Sequence, residues 1–92
     1  MDISNLVNNF IANYSSIILT KYVPPTIPTM SHVFEIETSE FLGTISVWAS
    51  GMVDWNIYDI ETSNEAFLGS SIFDSEQQLC LAVEKVLQAM TK

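Results

Sequence analysis

Ninety-two residues carry three Lys/Arg against eleven Asp/Glu, a formal net charge of −8, with 48% apolar and only 15% charged residues. So apolar a chain is not a disordered one, because disorder goes with low hydrophobicity and few aromatics. So acidic a chain is also a poor ligand for nucleic acid or an anionic membrane surface, which both carry dense negative charge. The length is too short for two domains and sufficient for one modest core, so residues 1–92 read as a single domain.

Cys80 is the one cysteine, which excludes an internal disulfide and fits a reducing compartment. The chain opens Met1-Asp2, acidic where a secretion signal is basic. The longest apolar candidate, residues 3–23, is interrupted by Asn5, Asn8, Asn9, Asn13, Ser15 and Ser16, so no transmembrane helix is expected. These features predict a cytoplasmic protein.

In chain order, apolar residues at Ile3, Leu6, Val7, Phe10, Ile11, Tyr14, Ile17, Ile18 and Tyr22 have the spacing of one helical face, which predicts a helix over 3–22. Asp2 suits its N-cap. Pro24 and Pro25 stop it, and the run through Pro28 reads as a stiff extended crossover. Four strand-like runs follow, at 32–38, 41–49, 52–61 and 66–73, with short connections that predict an antiparallel meander. A last helix is predicted over 75–90, from the spacing of Leu79, Ala82, Val83, Val86, Leu87 and Met90. Asp74 and Gln77 resemble a capping box, and Lys85 and Lys92 lie toward the negative end of the dipole.

Alternation sets the register. A two-residue turn at Ser39-Glu40 places Phe34 opposite Ile45. A three-residue loop at Ala49-Ser50-Gly51 places Val47 opposite Val53 and Ile45 opposite Trp55, apolar against apolar. That loop wants a left-handed third residue, and Gly51 is there. The expected architecture is α+β: a two-layer sandwich, α-β-β-β-β-α, with both helices on the apolar face of a four-stranded meander.

The opposite face is then open. Its predicted rows are Glu37, Leu42 and Tyr58; Glu35, Thr44 and Asn56; Val33, Ser46 and Asp54; and Trp48 opposite Met52. A four-residue loop at 62–65 would add Phe67 beside Ile60. A solvated sheet face is normally mostly polar, whereas Trp, Tyr and Met are enriched where proteins meet. Carboxylates beside them select a basic partner and speed encounter with it. The candidate partner-binding residues are therefore Trp48, Tyr58, Asp54, Glu35, Glu37 and Met52. Cover by a second copy or by residues 24–30 is the alternative reading.

Catalytic chemistry is not legible. His32 has no second His or Cys near it in sequence, and Cys80 lies inside the last helix beside its apolar stripe. Glu35 and Glu37 share a solvated face with nothing to raise one pKa. Gly43, Gly51 and Gly69 form no phosphate-cradling loop. The acids lack calcium-loop spacing. The expectation is a binding protein: not an enzyme, without cofactor or metal.

The stretch from Thr44 to Thr62, with Trp48, Ser50 and Gly51 followed by Asp54, Ile57 and Asp59, resembles the central hairpin of the TriTu family of bacterial immunity proteins. Phe67, Phe73, Asp74 and the helix to Met90 are similar to the rest of the family pattern, so the resemblance covers residues 31–90. The position between Trp48 and Ser50, often acidic in that pattern, is Ala49 here. The resemblance implies a protein found beside polymorphic toxins, often Rhs-type effectors of a type VI secretion system. It further implies one that binds and stoichiometrically blocks an ADP-ribosyltransferase toxin acting on elongation factor Tu, by occluding its active-site cleft. Trp48 and Tyr58 would be apolar anchors, and Glu35, Glu37 and Asp54 would meet basic toxin residues. When free, the chain is expected to be a monomer or weak dimer. The rival reading is a small acidic secretion chaperone or adaptor for an effector protein.

Overall fold

The first helix stops at Ala12, well short of residue 22. The computed structural model describes residues 1–91, so Lys92 lies outside the described residues. Its elements are α1 (Ile3–Ala12), β1 (Ile18–Val23), β2 (Ser31–Glu37), β3 (Phe41–Trp48), β4 (Met52–Asp59), β5 (Glu65–Ile72) and α2 (Glu76–Met90). Asp2 is the N-cap of α1, as expected: its carboxylate accepts the Asn5 backbone N–H at 3.2 Å and the Asn5 side-chain amide at 2.8 Å.

The expected helix 3–22 is therefore corrected to a helix and a strand. Asn13, Ser15 and Ser16 offer the backbone turn-like alternatives to a helix, and the β-branched residues Ile17, Ile18, Thr20 and Val23 favour extended chain. The helical spacing joins Ile18 and Tyr22 on one face, but a β-bulge sets them on opposite sides of the strand, Ile18 beside Glu37 and Tyr22 beside the buried Phe34. Leu19 stands opposite Ile36 and Lys21 opposite Glu35, which leaves Thr20 as an extra residue. Leu19 and Tyr22 thus both turn toward the core three positions apart, where an unbroken strand spaces such residues by two. The Thr20 hydroxyl donates to the Glu35 carbonyl at 3.0 Å across this bulge.

The sheet accordingly has five strands, not four. They lie in the order β1-β2-β3-β4-β5, every neighbouring pair antiparallel. Residues 24–30 are not a crossover: they join two paired neighbours, and the Met30 N–H donates to the Ile27 carbonyl at 3.1 Å.

The next two hairpins follow the sequence reading. Thr38 N–H donates to the Phe41 carbonyl at 2.8 Å across Ser39-Glu40, and the Thr38 hydroxyl accepts from the N–H groups of Glu40 and Phe41. Gly51 closes the β3–β4 loop at φ 115°, its N–H donating to the Trp48 carbonyl at 3.0 Å. The Gly51 carbonyl also accepts the Phe73 N–H at 2.8 Å, and a Cβ at Gly51 would sit 2.6 Å from the Phe73 oxygen. Only glycine satisfies both the dihedral and the close approach.

The fourth hairpin is a correction. Its loop spans residues 60–64, with Ser63 left-handed at φ 60° and the Asp59 carboxylate accepting the Thr62 N–H at 3.1 Å. Tyr58 stands opposite Glu65 and Ile57 opposite Phe67, so Ala66 is bulged out of register. Phe67 is therefore not beside Ile60 on the open face. It lies on the core side, edge-on to Phe41 with ring centres 5.9 Å apart. The α2 cap is also one residue later than expected: Ser75 accepts the Gln78 N–H at 3.2 Å, and the Gln78 side chain accepts the Asp74 N–H at 2.8 Å.

Both helices cover one face, as the two-layer reading requires. Ile3, Val7 and Ile11 of α1 and Leu79, Val83, Val86, Leu87 and Met90 of α2 close over Phe34, Ile36, Ile45, Val47, Val53 and Ile57. Each large side chain buried there contributes about 1.5–3 kcal/mol. Among the described residues, that leaves the second face of the sheet without a layer of its own.

Candidate functional site: the open sheet face

Pleat alternation places the site. Because Phe34, Ile36, Ile45, Val47, Val53 and Ile57 are buried under the helices, the residues between them face away. The observed pairings are Glu37 with Leu42 and Leu42 with Tyr58; Glu35 with Thr44 and Thr44 with Asn56; Val33 with Ser46 and Ser46 with Asp54; and Trp48 with Met52. Each of these rows agrees with the sequence-derived register. All six candidate residues, Trp48, Tyr58, Asp54, Glu35, Glu37 and Met52, therefore stand on one face. Tyr58 and Met52 are exposed; Trp48, Asp54, Glu35 and Glu37 are half-buried.

The face is wider than the sequence reading made it. β1 adds Ile18 beside Glu37, Lys21 beside Glu35 and Val23 beside Val33. β5 adds Leu68 beside Asn56, Ser70 beside Asp54 and Ile72 beside Met52. The first set was hidden by the helical reading of residues 18–22, the second by the wrong loop length before β5. The apolar members are well exposed, with Ile72 at 82%, Ile18 at 59% and Leu68 at 54%. A face with this much exposed apolar surface marks an interaction site more often than bare solvent contact. Its charges are mainly negative: Glu35, Glu37 and Asp54, with Lys21 opposite Glu35.

The two potentially reactive side chains lie elsewhere. His32 starts β2 next to the core, with its Nδ1 2.7 Å from the Tyr22 hydroxyl. Burial pushes its pKa below the usual 6.5, and the Asp2 carboxylate acts in the opposite direction. Burial also pushes the Cys80 thiol up, as do the carboxylates of Glu76 and Glu84, so the unreactive thiol form is favoured. Among the described residues, no group of three or more His, Cys, Asp or Glu is placed to hold a metal ion. No helix among them is long and apolar enough to cross a membrane.

A groove of about 680 Å³ runs between β5 and α2, its walls including Trp55, Ile72, Leu81, Glu84 and Lys85. It owes its shape to Gly69. A Cβ there would lie 2.7 Å from the Trp55 indole, so the missing side chain lets the ring lie across β5.

Fold and face define a class: a small α+β protein with one side of a five-stranded meander closed by two helices and the other side open, aromatic and acidic. Within that class the chain belongs to the TriTu family of immunity proteins. The family model described as "Immunity protein TriTu" matches residues 8–89, which takes in the second half of α1, all five strands and nearly all of α2. No curated protein and no solved structure gives a significant match.

Proposed function

We propose that this chain binds a cognate antibacterial ADP-ribosyltransferase toxin through the open sheet face and blocks it stoichiometrically, by occluding the active-site cleft. Membership of an immunity family supports a toxin as partner. The observation that carries the mode of binding is the single face holding Trp48, Tyr58 and Met52 among Glu35, Glu37 and Asp54. An enzyme that binds NAD must present basic groups to the pyrophosphate, and a carboxylate-bearing face competes for them. Aromatic anchors ringed by polar groups are the usual centre of a tight interface. No catalytic role for this chain is needed: a blocking protein acts one for one.

The test is a titration of this chain into the folded catalytic domain of the proposed ADP-ribosyltransferase toxin, following ADP-ribose transfer to elongation factor Tu. Activity reaching zero near one equivalent is the expected result. Protection at a small fraction of an equivalent contradicts blocking and points to an enzyme that reverses the modification. Untouched activity at excess removes this toxin as the partner. In the same titration Trp48→Ala is expected to weaken binding by at least about 30-fold, the loss of one interface anchor, while the thermal midpoint stays within a few degrees. A large fall in midpoint with intact binding gives Trp48 a role in the hairpin alone.

A further inference from the structure

Two strands end this sheet, and one of them is unguarded. β1 interrupts its edge with the Thr20 bulge, carries Lys21 and runs into Pro24-Pro25. These are devices that keep sheet edges from pairing with other chains. β5 differs. After the bulge at Ala66, residues 67–72 keep an unbroken register with β4 and contain no charge and no proline. Phe73 donates its N–H inward to the Gly51 carbonyl. By alternation, Leu68, Ser70 and Ile72 turn their N–H and C=O groups outward, away from β4. No strand among the described residues pairs with that edge.

We propose that β5 is a dimerisation edge that takes β5 of a second copy, antiparallel, about a two-fold axis at Ser70. The register argues for this occupant. An axis at Ser70 sets Ser70 opposite itself and Leu68 opposite Ile72 on both sides. Every outward N–H and C=O of these three residues then has a partner in the other copy. The cross-strand contacts are apolar on apolar between two of the more exposed large side chains, Leu68 at 54% and Ile72 at 82%. Charge argues the same way. Two copies at −8 repel, so they meet best on a strip without carboxylates, and residues 66–73 are such a strip. Residues 66–73 themselves offer a basic foreign strand no acid to pair with, Asp54 lying one strand further in. The contact is isologous and closed, so it ends at a dimer. It pairs backbones along the margin of the open face, where Leu68 and Ile72 lie, and its test needs no toxin.

The test is sedimentation equilibrium of the full chain up to about 1 mM, a range that captures weak dimers. The apparent mass is expected to climb from 10.3 kDa toward twice that value. Ser70→Pro removes an outward N–H without touching the bonds to β4, and Ile72→Lys places a charge in the apolar pair. Each is expected to raise the dimer Kd at least about tenfold with the thermal midpoint held. If Ser70→Pro unfolds the chain, Ile72→Lys decides alone. A mass of 10.3 kDa throughout overturns the proposal, as does a dimer indifferent to both variants and dissolved by Leu42→Lys on the open face. A monomer whose Leu68, Ser70 and Ile72 amides gain exchange protection only in a toxin complex also overturns it, and gives the edge to a foreign strand.

Discussion

At the scale of single residues, His32 shows how a polar side chain is carried at the margin of this core. Its Nδ1 lies against the Tyr22 hydroxyl at 2.7 Å, and the two rings are stacked with centres 6.1 Å apart. The hydroxyl donates to Nδ1 of a neutral ring or accepts from Nδ1–H of the imidazolium, so this contact alone selects no protonation state. The folded chain favours the neutral form because burial lowers the pKa, with the Asp2 carboxylate opposing. The sign follows from linkage. Below 6.5 the unfolded chain takes up a proton that the folded chain resists. Stability from His32 is thus full above the unfolded pKa and is lost as pH falls through it toward the folded value. Asp2→Asn removes the carboxylate that opposes this shift and is expected to move the His32 titration further down, as read from imidazole proton shifts. An unchanged titration leaves burial as the whole cause.

At the scale of elements, the β3–β4 hairpin is where sequence and structure agree most closely. Three signals coincide there: apolar-on-apolar pairing of Val47 with Val53, a three-residue loop, and glycine at the one left-handed position of that loop. Gly51→Ala is expected to destabilise the chain by about 1–3 kcal/mol, from the unfavourable φ and the crowding against the Phe73 carbonyl. Chemical denaturation checks this, and a loss under half a kilocalorie means the loop rearranges freely. The central rows of the open face were legible for the same reason: two well-specified turns fix three strands, and alternation does the rest. The flanks were not. Ile18 and Tyr22, read as one helical face, stand on opposite sides of a strand bulged at Thr20, and no local signal in residues 17–23 announces a bulge. Leu68 and Ile72 were lost through Ala66, whose bulge moves Phe67 from the open face to the core. A strand inserts an extra residue for tertiary reasons, which a window of sequence does not contain. Ser75 is a plainer case: Ser75 with Gln78 satisfies the cap rule as well as Asp74 with Gln77, and the structure uses the later pair.

At the scale of the whole molecule, charge separates the two proposed contacts. A face with Glu35, Glu37 and Asp54 on a chain at −8 attracts a basic partner over long range. Raising salt from about 50 to 500 mM is expected to slow that association by tenfold or more, because the screening length falls several-fold. Pairing of two like-charged copies at β5 should respond the opposite way and tighten with salt. Stopped-flow association with the toxin domain and sedimentation of the free chain read the two effects separately. Equal and parallel responses contradict the division.

The order of the strands in space is also their order along the chain. Each strand finds its partner across a short connection, so little loop entropy is lost at any step, and such local topologies fold fast for sheets. During synthesis β1 to β5 can pair as they emerge, but α2 arrives last, and until it docks the apolar underside of the sheet is half uncovered. The interval between completing β5 and seating Leu79, Val83, Val86 and Leu87 is thus the moment of greatest exposure to aggregation. How quickly α2 closes sets how soon a newly made copy is fit to act.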